Sequence, residues 1–380
     1  MISAPHYTDM IICEGSNFDL GFRHAIGEPG RSSMSHILAT EQPNFKHHNL
    51  WVFVLSNTDL LADQLQRLHL QLPELTFNPA TDTASKELPG ADIYLNHYSL
   101  ARLSEPDGIA HYLGANRCCN YTIACQYWLP AAPLGTVFVV HGYFDHTALY
   151  GHLIKYLLDA NFAVVAFDLP GHGLSDGEQV SIASFDHYVE VFDAILAAAK
   201  AHLPQPWHCV GQSTGGAIAL KHLLADSQDK HLFEHIALLA PLLHPRRWHS
   251  NRWIYLLARR FLSRVKRSFT SNSGDQAFVD FLITGDPLQA QHIPLEWLGA
   301  MKRWTEEFHD LPISAYPLTI VQGDQDATLN WRYNLKHFTR KLPEANIRMI
   351  KGAQHHLVNE RLELRDQVFA AMGLPGQAEQ

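Results

Sequence analysis

The sequence predicts an α/β protein, built on a mostly parallel sheet with helices on both of its faces. From about Gly108 onward, short apolar runs alternate with amphipathic segments such as FDHYVEVFDAILAAAKAH, a pattern typical of buried parallel strands separated by helices. A glycine-rich stretch, GQSTGG, joins one of these runs directly to a helical segment. In such a sheet, ligands bind beyond the carboxyl ends of the strands. We expect strands at 136–140, 162–167, 207–210, 236–240, 318–322 and 347–350.

The composition is that of an ordinary globular chain. Of its 380 residues, 46% are hydrophobic and 18% are charged, so the chain can bury a large core without disulfide bonds. The formal net charge of -9 argues against a nucleic-acid partner, because such proteins usually carry a basic face.

Cysteine usage and hydropathy bear on the cellular compartment. The five cysteines are an odd number without metal-like C-x-x-C spacing, which predicts reduced thiols in a cytosolic protein. The start of the chain does not resemble a signal peptide, and no apolar run reaches the roughly 18 residues of a membrane span. We therefore expect a cytoplasmic protein, with peripheral contact at the inner face of the membrane left open.

An N-terminal extension, residues 1–107, precedes the alternating pattern. Its first 43 residues or so lack periodicity and are rich in Gly, Ser, Pro and His, which is compatible with disorder. Farther along, between Leu50 and Leu75, leucines recur at helical spacing, so we expect part of the extension to form a helix on the main domain. This spacing is seen at Leu60, Leu61, Leu65, Leu68 and Leu72.

The predicted core comprises residues 108–241 and 312–376. It opens with two short antiparallel strands around a polar turn, predicted from HYLGANRCCNYTIACQYWLP. Residues 242–311 interrupt the alternation, because they contain helical patterns and no convincing strand. An insertion of this size between two strands commonly covers a binding site. We expect a helical cap there.

Two stretches match the G-x-S-x-G pattern of a nucleophile elbow, one around Ser213 and one around Ser175. An elbow needs a strand that runs directly into the turn and a helix that runs directly out of it, with small residues beside the strained serine. The sequence WHCV-GQSTGG-AIALKHLLA meets each requirement, whereas GLSDG follows a loop and precedes another. We therefore predict Ser213 as the nucleophile.

A serine hydroxyl is a weak nucleophile unless a base takes its proton and a third group orients that base. In hydrolase sites of this type the chain order is serine, acid, histidine. The run LTIVQGDQDATLNW offers Asp324 and Asp326 after one predicted strand. The run IRMIKGAQHHLVNE offers His355 and His356 after the next. The residues alone leave both choices open.

Charge that develops on a substrate carbonyl must meet backbone N–H donors that are already in place. Thr214, directly after the serine at a helix N-terminus, is one predicted donor, and Tyr143 in HGYFDH is the other. An alternative for HGYFDH is a metal site made of His141, Asp145 and His146. No further ligand set with zinc-like spacing accompanies these residues, so we expect no metal and no cofactor.

These pieces, in this order, resemble the monoacylglycerol lipase and lysophospholipase branch of the α/β-hydrolase superfamily, often labelled serine-aminopeptidase-like. The resemblance runs from about Gly108 to Met372 and implies an α/β-hydrolase fold. It also implies that Asp326 and His355 are the acid and the base, and that GLSDG is a structural turn. The chain departs from its relatives at Gln212 and Thr214, where histidine and methionine are common. The matching motifs are HGYFDH, FDLPGHGLSDGE, GQSTGG, DPL, GDQD and GAQHHLVNE.

The resemblance implies a serine hydrolase that cleaves carboxylic esters of single-chain lipids, either lysophospholipid or monoacylglycerol, through an acyl-enzyme. Residues 244–268 add eight Lys or Arg, no acid and several aromatics, which suits contact with an anionic membrane surface. A solvated basic helix with a buried aromatic face is the alternative interpretation. A serine aminopeptidase on the same triad, with Glu296, Glu306 or Glu307 binding an α-amine, also stays open. A non-catalytic ligand-binding protein is the third alternative.

Overall fold

The computed structural model describes residues 10–12, 52–54, 57–104, 108–225, 232–248, 255, 260–269 and 271–375. The chain divides after Asp63 into two compact units. In the first unit, β1 (Met10–Ile12) pairs antiparallel with β2 (Val52–Val54). The remaining residues of 1–43, whose sequence is compatible with disorder, lie outside the described residues.

The second unit is built on an eight-stranded sheet, which confirms the predicted α/β class. Its strands are β3 (Ile109–Cys118), β4 (Tyr121–Pro130), β5 (Thr136–Val140), β6 (Ala163–Phe167), β7 (Trp207–Gln212), β8 (Phe233–Leu239), β11 (Thr319–Gly323) and β12 (Asn346–Ile350). Their order across the sheet is β12-β11-β8-β7-β5-β6-β4-β3. Five neighbouring pairs of these strands run parallel, and the two pairs that involve β4 are antiparallel.

Every residue of β5, β6, β7 and β11 is buried. This explains their continuous apolar runs, because helices cover both faces of a parallel sheet. The helix α4 (Phe185–Ala199) begins after Ser184 because the Ser184 hydroxyl accepts a hydrogen bond from Asp186 N and caps the helix. The helices of the core are α3 (Gly151–Asp159), α4 (Phe185–Ala199), α5 (Thr214–Ala225), α8 (Trp331–Lys341) and α9 (Leu362–Ala371).

The extension contributes two helices, α1 (Asn57–Gln71) and α2 (Ala91–His97). Leu65 and Leu68 of α1 are buried, and His69 Nδ1 bonds the carbonyl of Leu174 at 2.6 Å, so the end of α1 packs on the core. The leucine spacing predicted this helix.

Residues 242–311 contain α6 (Gln276–Thr284) and α7 (Leu295–Asp310). They also contain a ribbon that the sequence analysis missed, in which β9 (Arg264–Lys266) pairs antiparallel with β10 (His292–Pro294). Each strand has three residues, too few for an alternating pattern to be recognised. The expectation of a strand-free cap is wrong on this point. No helix among the described residues is long and apolar enough to cross a membrane.

Candidate active site

Ser213 lies between the end of β7 and the start of α5, in a left-handed backbone conformation with φ of 53°. This conformation is strained for a residue with a side chain. The Ser213 amide donates to the carbonyl of Leu239 at 2.8 Å, which helps to hold the turn. A Cβ at Gly215 would lie 2.0 Å from the Val140 oxygen, and one at Gly211 would lie 2.6 Å from the Gly215 oxygen. Glycine at both positions is therefore required for the close approach of strand and helix.

Ser213, His355 and Asp326 form a continuous hydrogen-bonded chain. His355 Nε2 lies 2.9 Å from Ser213 Oγ, and His355 Nδ1 lies 2.8 Å from Asp326 Oδ2. The other oxygen of Asp326 accepts the amides of Thr328 and Leu329 at 2.8 and 2.9 Å. These bonds orient the carboxylate, the carboxylate orients the imidazole, and Nε2 is left facing the hydroxyl.

The pKa values of this pair follow from burial and mutual attraction. Burial favours neutral His355, but the charge of Asp326 and its hydrogen bond outweigh burial, so the net pKa of His355 is raised above 6.5. Burial likewise disfavours charged Asp326, but His355 and the donated hydrogen bonds lower the pKa of Asp326 below its usual value. Asp326 is therefore ionised at neutral pH and ready to stabilise a protonated imidazole.

The competing candidates from the sequence lie elsewhere. His356 Nε2 faces Asp145 Oδ1 at 3.1 Å. Asp324 accepts the amide of Gly352 at 2.7 Å and braces the loop that leads to the histidines. The Ser175 hydroxyl accepts from Ala124 N at 2.9 Å and donates to Asp168 O at 2.6 Å, so both of its bonds hold the turn to the sheet.

The loop after β5 is braced by a second set of polar groups, which the sequence analysis did not recognise. The Gly142 amide donates to the Tyr150 hydroxyl at 2.9 Å, and that hydroxyl donates to Asp145 Oδ2 at 2.8 Å. Burial acts to raise the pKa of Asp145, but His356 opposite it outweighs burial and holds that pKa well below its usual range. The loop that carries His355 is thereby connected to the loop that carries Tyr143.

Tyr143 and Thr214, the predicted oxyanion donors, both line the cavity that contains Ser213. The Tyr143 ring stacks on Trp297 with centroids 3.6 Å apart, and its hydroxyl donates to Val180 O at 2.8 Å. Thr214 is the first residue of α5, where the first amides of a helix lack intrahelical partners. Gln212 is the other position at which the chain departs from its relatives. Its side-chain amide donates to the His355 carbonyl at 2.9 Å and so helps to hold His355, the predicted base, in place.

A cavity of about 600 Å³ opens over the proposed nucleophile, between the strand-end loops and residues of the predicted cap. Its walls are mainly apolar and aromatic, with few charged side chains. A cavity of this kind holds a small ligand with a large apolar part. The apolar residues that line it include Leu242, Trp248, Val265, Leu282, Ile293, Leu295, Trp297, Leu298, Met301 and Leu329.

The three residues considered as metal ligands have separate partners. His141 accepts the Leu169 amide at 2.9 Å, Asp145 faces His356, and His146 faces Asp286 at 3.0 Å. Within the described ranges, no three His, Cys, Asp or Glu side chains are grouped as metal ligands would be.

A family model described as serine aminopeptidase, S33, matches residues 131–362 of this chain. The match covers more than half of the chain and includes both loops that contain Ser213 and His355. The chain belongs to this family. Together with the sheet order, this makes the protein a hydrolase of the α/β-hydrolase fold.

Individual relatives place it near the monoglyceride lipases within the family. Human monoglyceride lipase is 27% identical over 262 residues, which cover 64% of this chain and 83% of the human protein. The structure of a soluble variant of yeast monoglyceride lipase is similar in fold, with a TM-score of 0.59, 18% identity, and coverage of 68% and 92%. Monoacylglycerol lipase from Paleococcus ferrophilus gives a TM-score of 0.53 at 21% identity, over 66% and 96% of the chains.

Proposed function

We propose that the protein is a serine hydrolase that cleaves carboxylic esters of single-chain lipids through an acyl-enzyme on Ser213. The observation that carries this proposal is the hydrogen-bonded chain from Ser213 through His355 to Asp326 at the floor of an apolar cavity. A serine at the strained turn, a base within 2.9 Å and a buried acid behind it are the parts that acyl transfer needs.

In the first half-reaction, Ser213 Oγ attacks the ester carbonyl while His355 Nε2 accepts its proton. Asp326 stays ionised, keeps Nδ1 protonated and stabilises the imidazolium. The tetrahedral intermediate carries a negative oxygen, which the amides of Tyr143 and Thr214 stabilise. His355 then gives its proton to the departing alcohol. In the second half-reaction, water attacks the acyl-enzyme with His355 again acting as the base, and the free acid leaves.

The cavity favours a lipid ester over a small polar one. An acyl chain gains free energy from apolar contact along Leu282, Leu295 and Met301, at about 0.8 kcal/mol for each buried methylene group. The monoglyceride lipases among the relatives act, by their names, on monoglycerides. We propose monoacylglycerol or lysophospholipid as the substrate class.

A serine aminopeptidase is the second candidate, favoured by the description of the family model. Such an enzyme needs an acidic group to bind the free α-amine. Glu296 accepts from the Ser181 hydroxyl at 2.7 Å, Glu306 pairs with Lys302, and Glu307 pairs with Lys221. None of the three lines the cavity, and its one described carboxylate, Asp145, faces His356. Esters therefore remain the preferred substrates.

Contact with an anionic membrane surface is part of the proposal. Phe261 and Leu262 are 84% and 53% exposed, next to the exposed cations Arg260 and Lys266. Apolar side chains beside cations bind an anionic bilayer through burial and charge together. In vesicle sedimentation, the protein should bind phosphatidylglycerol vesicles better than phosphatidylcholine vesicles, and Phe261→Ser should weaken both. Equal binding to the two vesicle types would contradict this step.

Fluorophosphonate labelling tests the nucleophile, since the probe reacts with an activated serine. The wild type should be labelled, Ser213→Ala should not, and Ser175→Ala should be labelled like the wild type. Labelling that persists in Ser213→Ala would overturn the assignment. An unlabelled and inactive wild type would favour the non-catalytic alternative.

Hydrolysis rates across p-nitrophenyl esters, monoacylglycerol, lysophospholipid and aminoacyl amides test the substrate class. We expect the lipid esters to have the largest kcat/KM. If aminoacyl amides turn over fastest, the aminopeptidase alternative replaces the ester hydrolase.

A further inference from the structure

Arg267 places a half-buried cation among the mainly apolar walls of the cavity, near its catalytic end; Arg246, which also lines the cavity, is exposed. Its guanidinium lies 3.8 Å from the ring centroid of Phe144 and 4.2 Å from that of Phe269. Phe144 directly follows Tyr143, the proposed oxyanion donor, so the cation lies beside the oxyanion loop. Both Arg267 and Tyr143 line the cavity.

The loop that follows Arg267 is also attached to the catalytic centre. The carbonyl of Asn272 accepts the amides of His355 and His356 at 3.1 and 2.8 Å. Ser268 and Asn272 line the same cavity and add a hydroxyl and an amide to its walls. A ligand that bonds Arg267 would therefore have further polar partners close to the scissile ester.

The guanidinium is held in one orientation. Its Nη1 donates to Gln289 Oε1 at 2.7 Å and to Ala290 O at 3.2 Å. Gln289 is fixed in turn, because its amide donates to Phe144 O at 3.0 Å and to Asp286 Oδ2 at 2.8 Å. A cation that is braced in this way loses little entropy when it binds an anion.

Arg267 forms no ion pair with any described residue, although carboxylates lie nearby. Asp145 bonds His356 and Tyr150, and Asp286 bonds His146 and the Tyr98 hydroxyl. Burial lowers the pKa of Arg267 to about 10, so it stays protonated at neutral pH. A half-buried guanidinium without a carboxylate partner has donors left for a ligand.

We propose that Arg267 binds an anionic phosphate on the alcohol side of the substrate, so that the enzyme prefers lysophospholipids with a net negative head group over neutral monoacylglycerol. This inference rests on the proposed function, since it identifies the substrate of that same site. We assign the acyl chain to the apolar wall of Leu282, Leu295 and Met301, and an anion beside the loop of Tyr143 to the leaving alcohol. A guanidinium matches phosphate oxygens with two parallel hydrogen bonds.

The test compares four substrates that share one acyl chain: monoacylglycerol, lysophosphatidylcholine, lysophosphatidylglycerol and lysophosphatidic acid. The wild type should have the highest kcat/KM on the last two. Loss of a charge-assisted bond should lower that value in Arg267→Gln by about 10- to 100-fold on the anionic substrates. On monoacylglycerol, Arg267→Gln should stay within about 2-fold of the wild type, because no anion is bound there.

Arg264→Gln is the matched control. Arg264 lies three residues earlier, on β9, where it is exposed and does not line the cavity. If the preference reflected the charge of the surface, Arg264→Gln would weaken it as much as Arg267→Gln. We expect the Arg264 variant to match the wild type on detergent-dispersed monomeric substrates. An equal loss in both variants would overturn the subsite.

Three further measurements separate the subsite from an effect on folding and from an anion on the acyl side. Arg267→Lys keeps the positive charge and should recover part of the preference for anionic head groups that Arg267→Gln loses. Glycerol 3-phosphate should inhibit hydrolysis of p-nitrophenyl butyrate more weakly in Arg267→Gln than in the wild type. A p-nitrophenyl monoester of a dicarboxylic acid carries its anion on the acyl side and should not depend on Arg267.

The outcomes are distinct. If the wild type hydrolyses esters through Ser213 but Arg267→Gln slows every substrate equally, the head-group inference fails and the proposed function stands. If Arg267→Gln slows only the dicarboxylic monoester, the anion lies on the acyl side and the inference is wrong. If the wild type hydrolyses no ester at all, both the proposed function and the inference fail.

Discussion

His355 and His356 are neighbours in the chain, and each faces a buried carboxylate, but the two pairs differ in what lies on the far side of the imidazole. His355 connects Asp326 to Ser213 Oγ, so a proton can move along the pair toward a reacting group. The bond of His356 to Asp145 leads instead through Tyr150 to the Gly142 amide. The first pair has the geometry of the proton transfer that we propose, and the second holds two loops together.

A buried imidazole–carboxylate pair therefore does not by itself mark a base. Residue type, burial and carboxylate distance are nearly the same in both pairs. What separates them is the second ring nitrogen, which faces a serine hydroxyl in His355 and has no hydrogen-bond partner among the described residues in His356.

The largest effect is expected from His355→Ala. Loss of the base should lower kcat by about 10⁴- to 10⁶-fold, because the serine hydroxyl then keeps its proton. His356→Ala should lower kcat by no more than about 100-fold, since it removes only a contact that holds two loops together. Steady-state rates on p-nitrophenyl butyrate check both. A more severe loss in the His356 variant would reverse the assignment of the two pairs.

Asp326→Asn should be next, with a fall in kcat of about 10⁴-fold, because the amide cannot stabilise the imidazolium and favours the wrong tautomer. The matched change on the other pair, Asp145→Asn, should lower kcat far less. Equal losses in the two variants would show that both carboxylates serve the same chemistry.

His356→Gln should act mainly on the free energy of unfolding. The buried carboxylate of Asp145 would lose a hydrogen-bond partner, which costs roughly 1–3 kcal/mol. Urea unfolding of His356→Gln, of Asp145→Asn and of the double variant Asp145→Asn/His356→Gln measures the coupling free energy between the two residues. If the double variant is as destabilised as the sum of the two single variants, the residues do not interact.

The pH profile should show the smallest change. His355 must be neutral to accept a proton, so kcat/KM should fall as the pH falls through its pKa, which Asp326 raises above 6.5. In Asp326→Asn the burial of the imidazole acts without this compensation, and the acid limb should move to lower pH. A limb that does not move would mean that another group controls it.

Local signals were sufficient for much of this fold. Continuous apolar runs predicted the buried parallel strands, and the α/β class is confirmed. The GQSTGG turn itself predicted the close packing at Gly211 and Gly215, because only a residue without a Cβ fits at these two positions. The ribbon of β9 and β10 was missed, since three residues per strand leave no periodicity to detect.

The functional details required contacts between residues far apart in the chain. The residues alone left His355 and His356 equivalent, and only the resemblance to a family favoured one. Arg267 was one of eight cations in a basic stretch, and nothing local distinguishes it from Arg264. The orientation of its guanidinium depends on Gln289, 22 positions away, and on Phe144, in the loop after β5.

Short-range signals in the sequence were sufficient to predict the sheet, the elbow and the groups that we propose for acyl transfer, because strand periodicity and turn chemistry act over a few residues. Only the packed structure determines which histidine faces the serine and which cation is held beside the loop that contains Tyr143. Those choices depend on the directions of side chains from separate strand ends, which meet only when the sheet and its covering segments pack together.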